Sequence, residues 1–237
     1  MSSAGGTHRR NRLGIWQEVL RRPEFSWPRP ALFLDRDGVI VEEVGFLRRP
    51  EDVRLIGGAA ELISAANKAG VPVVVVSNQS GVGRGLFGWP DFAEVQEQII
   101  RQLAGRGAFI DAVLACPYHP EARPPYRHPD HPARKPNAGM ILAAARLLPL
   151  VLSASWIIGD RASDLAAGRN AGLAGGLLML GALSQRELEA SQPMATASFR
   201  VFAGHSIAAA LSLIPLLGGS PSPGEPAGSV PPAQARP

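Results

Sequence analysis

Apolar and amphipathic segments alternate along this chain with a regularity that leaves few folds open. Short, mostly apolar runs at 31–34, 73–76, 110–114, 155–158, 177–180 and 199–202 are separated or followed by segments with helical spacing of apolar residues, at 58–69, 91–104, 138–148, 163–171, 184–190 and 206–213. A run that is apolar on both faces forms a strand covered on both sides, which a parallel sheet flanked by two layers of helices provides. The expected fold is α/β: a doubly wound, Rossmann-like parallel sheet. Such sheets bind ligands beyond the carboxyl ends of their strands, so the residues directly after each run are where chemistry is expected.

The alternation occupies residues 31–217, read as one domain. Residues 1–30 mix Gly, Ser, Arg and Pro and read as a flexible extension with one short helix around 13–22, broken at Pro23, Pro28 and Pro30. Residues 218–237 are rich in Gly, Pro and Ser and read as a disordered tail. The net charge of +4 raises the question of a nucleic-acid partner, but residues 31–217 carry 17 basic and 17 acidic side chains, so the excess lies in the two ends. A neutral core argues against nucleic acid. The longest apolar stretch near the C-terminus, 207–217, is too short to cross a bilayer, no signal peptide is evident, and Cys116 is the single cysteine. The expectation is a cytoplasmic protein, monomeric and without a membrane partner.

The runs end on chemically active residues. Asp35-Arg36-Asp37-Gly38 follows the first, Ser77-Asn78-Gln79 the second, and Gly159-Asp160-Arg161-Ala162-Ser163-Asp164 the run at 155–158. Lys135 precedes the helix that leads into that last run, in a chain whose only other lysine is Lys68. Around one phosphate each side chain acquires a task. Asp35 attacks phosphorus, and Asp37 protonates the leaving alcohol and later deprotonates water. A carboxylate approaching a phosphate is repelled by about 4 kcal/mol per unit-charge pair at roughly 4 Å and an effective dielectric of about 20. Cations must offset this: Mg²⁺ held by Asp35, Asp160 and the main-chain carbonyl of Asp37, and the ammonium of Lys135. Ser77 binds the phosphate oxygens, while Asp164 either supports the metal from outside its ligand shell or caps the following helix.

Leu34-Asp35-Arg36-Asp37-Gly38, Ser77-Asn78-Gln79-Ser80-Gly81, Arg134-Lys135-Pro136 and Gly159-Asp160 resemble, in order and spacing, the four motifs of the haloacid dehalogenase-like phosphatases. Arg84-Gly85 and Cys116-Pro117 narrow the resemblance to the heptose 1,7-bisphosphate 7-phosphatases and their histidinol-phosphatase relatives, over residues 31–180. The resemblance implies an essentially capless fold and a Mg²⁺-dependent phosphatase acting through an aspartyl-phosphate. It implies Asp35 as nucleophile, Asp37 as acid/base, Ser77 and Lys135 as phosphate binders, Asp160 as metal ligand, and Asn78, Arg84 and Arg134 as substrate contacts. Val39 and Ser77 stand where the family more often has threonine.

Relatives of this kind bind a structural zinc at positions matching Cys116, Tyr118, His131 and Ala133, so only Cys116 keeps its ligand. The expectation is a proline-stiffened loop without zinc; the alternative is a substitute Zn²⁺ set of Cys116, His119, His128 and His131. The length of this loop favours a small sugar phosphate of the heptose 1,7-bisphosphate type as substrate. Two other readings are a nucleic-acid 3′-end phosphatase, suggested by the basic N-terminus, and a non-catalytic binding protein that keeps the fold.

Overall fold

In the computed structural model of the protein, residues 13–22, 27–181 and 184–218 are described. Seven strands form one sheet: β1 (Trp16–Val19), β2 (Leu32–Leu34), β3 (Val73–Asn78), β4 (Ala112–Cys116), β5 (Trp156–Gly159), β6 (Gly175–Met179) and β7 (Arg200–Gly204). Their order is β1-β4-β3-β2-β5-β6-β7. All neighbours run parallel except β1, which pairs antiparallel with β4. The helices are α1 (Ala59–Lys68), α2 (Ser80–Arg84), α3 (Trp89–Ala104), α4 (Gly139–Leu147), α5 (Ala162–Asn170), α6 (Ser184–Ser191) and α7 (Ala210–Leu213). Among the described residues, no helix is long and apolar enough to cross a membrane.

The two-faced strands do what their composition requires. Leu32, Leu34, Val73 and Val75 point into a core shared with α1 and α3, whereas Phe33, Val74 and Val76 point into an opposite core shared with α4 and α5. Each buried Leu, Val or Phe contributes about 1.5–3 kcal/mol, so neither face can be uncovered cheaply. The chain travels from β2 through β3 to β4 on one side, then crosses to β5 and continues through β6 to β7 on the other. The direction of winding therefore reverses between β2 and β5, which makes the gap beyond their carboxyl ends the topological switch point.

Besides the short α2, which no spacing predicted, two segments depart from the sequence expectation. Residues 13–22, read as a short helix within a flexible extension, contain β1 instead. Trp16 is buried against Trp89 and Phe92, and the backbone of 16–19 pairs with 112–115. The strand exists because the sheet edge supplies partners, a gain that local periodicity does not register. The helix read at 206–213 begins as a 3₁₀ turn at Ile207–Ala209 before α7. The outer parts of the two terminal segments, 1–12 and 219–237, lie outside the described residues.

Candidate active site

Three parallel strands bring the acids and the hydroxyl to one end of the sheet. Leu34 is in register with Val75 and Ile158, so the residues that follow β2, β3 and β5 emerge side by side. Asp35 continues the ladder by donating its backbone N–H to the Ile158 carbonyl at 2.9 Å. Beyond it the chain turns through Gly38, whose φ of +80° favours glycine; a Cβ there would sit 2.6 Å from Asp160 Oδ2. Gly159 serves the same end, since a Cβ would collide with the side chain of Asp164. Both glycines let carboxylates crowd together.

The result is a cleft of about 650 Å³ lined by Asp35, Arg36, Asp37, Ser77, Asn78, Gln79, Arg134, Lys135, Asp160, Arg161 and Asp164, with Glu43, Phe46, Leu47 and Phe87 among its other walls. Lys135 lies at its floor. Its ammonium donates to Asp35 Oδ1 at 2.8 Å and to the Val76 carbonyl at 2.8 Å, and it pairs with Asp164 Oδ1 at 2.6 Å. The three N–H groups are thereby engaged. Burial alone would lower the basicity of Lys135, yet Asp164 and Asp35 raise it above the ordinary lysine range. Asp164 is also tied at its other oxygen, where Oδ2 accepts from the Arg161 backbone N–H at 3.0 Å and caps α5.

Negative charge exceeds positive on this floor. Burial pushes the Asp35 carboxyl up to about 7 against the pull of Lys135, with Asp164, Asp160 and Asp37 adding to the rise. Burial and then Asp164 push Asp160 up to about 6. Asp35, Asp160 and Asp164 each place a carboxylate oxygen within 4.8 Å of the others, and Asp160 Oδ1 is buried without a hydrogen-bond partner. An oxygen-only donor set with an orphaned buried oxygen and surplus negative charge fits a hard divalent cation.

The remaining residues singled out from the sequence are placed unevenly. Ser77 is buried in the cleft, and its Oγ accepts from Gln79 Nε2 at 2.9 Å. Asn78 lines the cleft, but its carboxamide is engaged by Lys135: Nδ2 donates to the Lys135 carbonyl at 3.0 Å and Oδ1 accepts the Lys135 N–H at 3.1 Å. Arg134 lines the cleft while donating to the Tyr118 carbonyl at 2.9 Å. Arg84 is not part of the lining; it pairs with Glu121 at 2.7 Å and contacts His119.

Arg36, Gln79 and Glu43 have no individual role assigned from the sequence, although Glu43 and Gln79 fall in the segments 39–49 and 79–87 expected to shape substrate choice. The signal available for the first two was position alone: Arg36 lies between the two aspartates and Gln79 lies two residues after Ser77. Glu43 accepts the Gly45 N–H at 2.6 Å, and burial, with Asp37 second, raises its carboxyl.

The substitute zinc set does not assemble. Cys116 is buried on β4, where burial raises its thiol to about 11, and the His131 ring stacks on Tyr118 at 3.6 Å. Among the described residues, the three aspartates form the one group of three or more metal-type side chains whose donor atoms converge.

Known proteins are similar to this chain in sequence and fold. A family model described as HAD-hydrolase-like matches residues 132–202. A Mesorhizobium japonicum protein named D-glycero-beta-D-manno-heptose-1,7-bisphosphate 7-phosphatase is 42% identical over 194 residues, covering 82% of this chain and 89% of the relative. A Burkholderia mallei protein named for the alpha anomer is 42% identical over 149 residues, covering 63% of this chain and 79% of its own. Among solved structures, a putative HAD-like phosphatase from Mesorhizobium loti superposes with a TM-score of 0.76 at 39% identity, covering 90% of this chain and 96% of that one. A D,D-heptose 1,7-bisphosphate phosphatase from B. bronchiseptica, complexed with magnesium and phosphate, gives 0.64 at 29% identity, covering 76% of this chain and 94% of that one. With this coverage and with the acids gathered at the switch point, the chain belongs to the haloacid dehalogenase-like phosphatase family.

Proposed function

We propose that this phosphatase hydrolyses a heptose 1,7-bisphosphate, removing one phosphate by way of an aspartyl-phosphate on Asp35 with Mg²⁺ as cofactor. The observation that carries the reading is the floor of the cleft: Asp35 is held by Lys135 at 2.8 Å beside an Asp160 oxygen that has no protein partner. Asp35 and Asp160 would hold the ion, together with the main-chain carbonyl of Asp37, and Asp164 supports them through Lys135. When bound, Mg²⁺ supplies positive charge that lowers the repulsion between the attacking carboxylate and the phosphate.

The chain's own residues account for the rest. An Asp35 oxygen attacks phosphorus as the bond from phosphorus to the leaving oxygen breaks, and the electron pair of that bond passes to the leaving oxygen. Asp37 gives that oxygen its proton. In the second half, water attacks the phosphorus; Asp37 takes the water's proton and the Asp35 carboxylate departs, releasing inorganic phosphate. Lys135 fixes Asp35 in place, and the Ser77 hydroxyl steadies the phosphate. Arg134 and Arg161, which line the cleft beyond the floor, support a substrate with a second phosphate. Phe46, Leu47 and Phe87 offer an apolar wall for a carbon skeleton.

The test is phosphate release with Mg²⁺ from both anomers of D-glycero-D-manno-heptose 1,7-bisphosphate, alongside histidinol phosphate and a 3′-phosphorylated oligonucleotide. The expected result is preference for a heptose bisphosphate and a drop in turnover of about 10³-fold or more in Asp35→Asn, with the fold retained. Substantial activity in that variant removes Asp35 as nucleophile; preference for another phosphoester removes the substrate.

A further inference from the structure

The Asp37 carboxylate is gripped from two sides by residues that the reaction scheme leaves unused. Arg36 Nε and Nη2 approach both of its oxygens at 2.9–3.2 Å, forming a fork, and Gln79 Nε2 donates to Oδ2 at 2.9 Å. Both residues are buried, Arg36 at 1% and Gln79 at 4% exposure. Adjacent side chains in an extended segment point to opposite faces, so Arg36 reaches its own neighbour only because the chain turns here, through the positive φ of Gly38 and a bridge between Asp37 and Val41. The guanidinium lies 5.2 Å over the ring of Phe92, itself packed edge-on against Trp16 and Trp89. A charge buried this deeply is costly unless it is paired, and Asp37 is the partner that offsets the cost.

We propose that Arg36 and Gln79 are positioning residues for Asp37, fixing its carboxylate toward the leaving oxygen and coupling it to the phosphate-binding hydroxyl of Ser77. The inference rests on the assignment of Asp37 as proton carrier made above. Gln79 Nε2 has two hydrogens, one directed to Asp37 Oδ2 and one to Ser77 Oγ, both at 2.9 Å. Ser77 therefore accepts from Gln79 and keeps its own hydrogen for a phosphate oxygen, so the anion and the proton carrier are registered to one carboxamide. On Asp37, Oδ2 serves both the fork and Gln79, whereas Oδ1 meets only the fork. Oδ1 is thus the oxygen with capacity for the travelling proton. As the bond from phosphorus to the leaving oxygen breaks, that proton passes from Oδ1 to the oxygen, giving a neutral alcohol. The negative charge left on Asp37 appears where three N–H donors already point, an arrangement that favours the transition state over the ground state.

The leaving group separates this role from a structural one. An alkyl phosphate needs a proton at its leaving oxygen, whereas p-nitrophenyl phosphate departs as a stable anion without one. The ratio of kcat/KM for a sugar phosphate to that for p-nitrophenyl phosphate is measured in wild type, Gln79→Met, Arg36→Lys and Asp37→Asn, with circular dichroism checking each fold. Gln79→Met keeps the volume and removes both donors; Arg36→Lys keeps the charge and removes the fork. The ratio is expected to fall by about tenfold or more in all three. A smaller fall in Gln79→Met, with Asp37→Asn showing the full one, overturns the positioning role and leaves the acid assignment standing. An unchanged ratio in Asp37→Asn overturns the acid assignment and the inference with it. If Arg36→Lys does not fold, Gln79→Met decides.

Discussion

The floor of the cleft and the histidine-bearing part of the loop after β4, residues 117–131, both gather ionisable side chains, and they satisfy them in opposite ways. In the loop each histidine is tied to its own neighbourhood: His119, His128 and His131 accept, through Nδ1, the backbone N–H two residues further on, at 3.0, 3.1 and 3.1 Å. Arg84 and Glu121 neutralise one another at the surface. On the floor the partners are distant in sequence, Lys135 and Asp35 being 100 residues apart, and acids outnumber the ammonium that faces them. Local satisfaction at these histidines makes a stable turn that requires no ligand. A long-range cluster with surplus charge and an orphaned oxygen is incomplete by itself, and it is this incompleteness that marks the reactive end.

The contrast breaks most visibly at its cations. Lys135→Met leaves Asp35 and Asp164 buried without their ammonium, and removing one partner of such a group costs about 3–5 kcal/mol. For a domain of this size that corresponds to a fall in Tm of roughly 10 °C, read by circular dichroism without added metal. Arg84→Met, which breaks the half-exposed pair with Glu121, should cost under about 1 kcal/mol. Equal losses at the two positions would erase the distinction between floor and loop.

The same distinction governs what was legible in the sequence. Asp35, Ser77 and Asp160 could be placed because β2, β3 and β5 are apolar on both faces, and a strand buried on both sides dictates where the next residue emerges. What side chains do after emerging depends on partners that no local pattern records. Asn78 reads as a substrate contact and does line the cleft, but its bonds to the Lys135 main chain, 57 residues on, are recorded in no local pattern. Strand β1 is a milder case, since Gln17, Glu18 and Val19 are only half-buried and the strand is defined by its pairing with β4. The short, glycine-containing α2 carries too few residues for a period to emerge.

A second way to sharpen the comparison is to supply the missing charge. Mg²⁺ at one hundred times its dissociation constant should stabilise the protein by about 2.7 kcal/mol, and Asp160→Asn should abolish most of that gain. The pH dependence has a definite sign. Burial raises Asp35 to about 7 and Asp160 to about 6, above the range of unfolded carboxyls. A raised acid favours the protonated fold, so without metal the contribution of these two carboxyls to stability is greatest at low pH and falls as pH rises toward 7. Ion binding requires the deprotonated forms. Affinity should therefore be full above about pH 7 and weaken by about tenfold per pH unit for each proton displaced below it. Calorimetric titrations at pH 5.5 and 7.5 that give equal affinities would contradict the crowding of acids on the floor.

The smallest effects belong to the loop, and they are informative because they are small. His131→Phe preserves an aromatic ring against Tyr118 but removes the acceptor of the buried Ala133 N–H, a loss of about 1 kcal/mol. His128→Ala, which frees the exposed Asp130 N–H and removes edge contacts to His131 and Tyr118, should cost under about 1 kcal/mol. Chemical denaturation resolves both, and kcat should be unchanged in each because neither ring lines the cleft. A loss of several kcal/mol at His131 would mean that the loop is held together by more than its own turns, with an ion at its histidines as the first thing to seek.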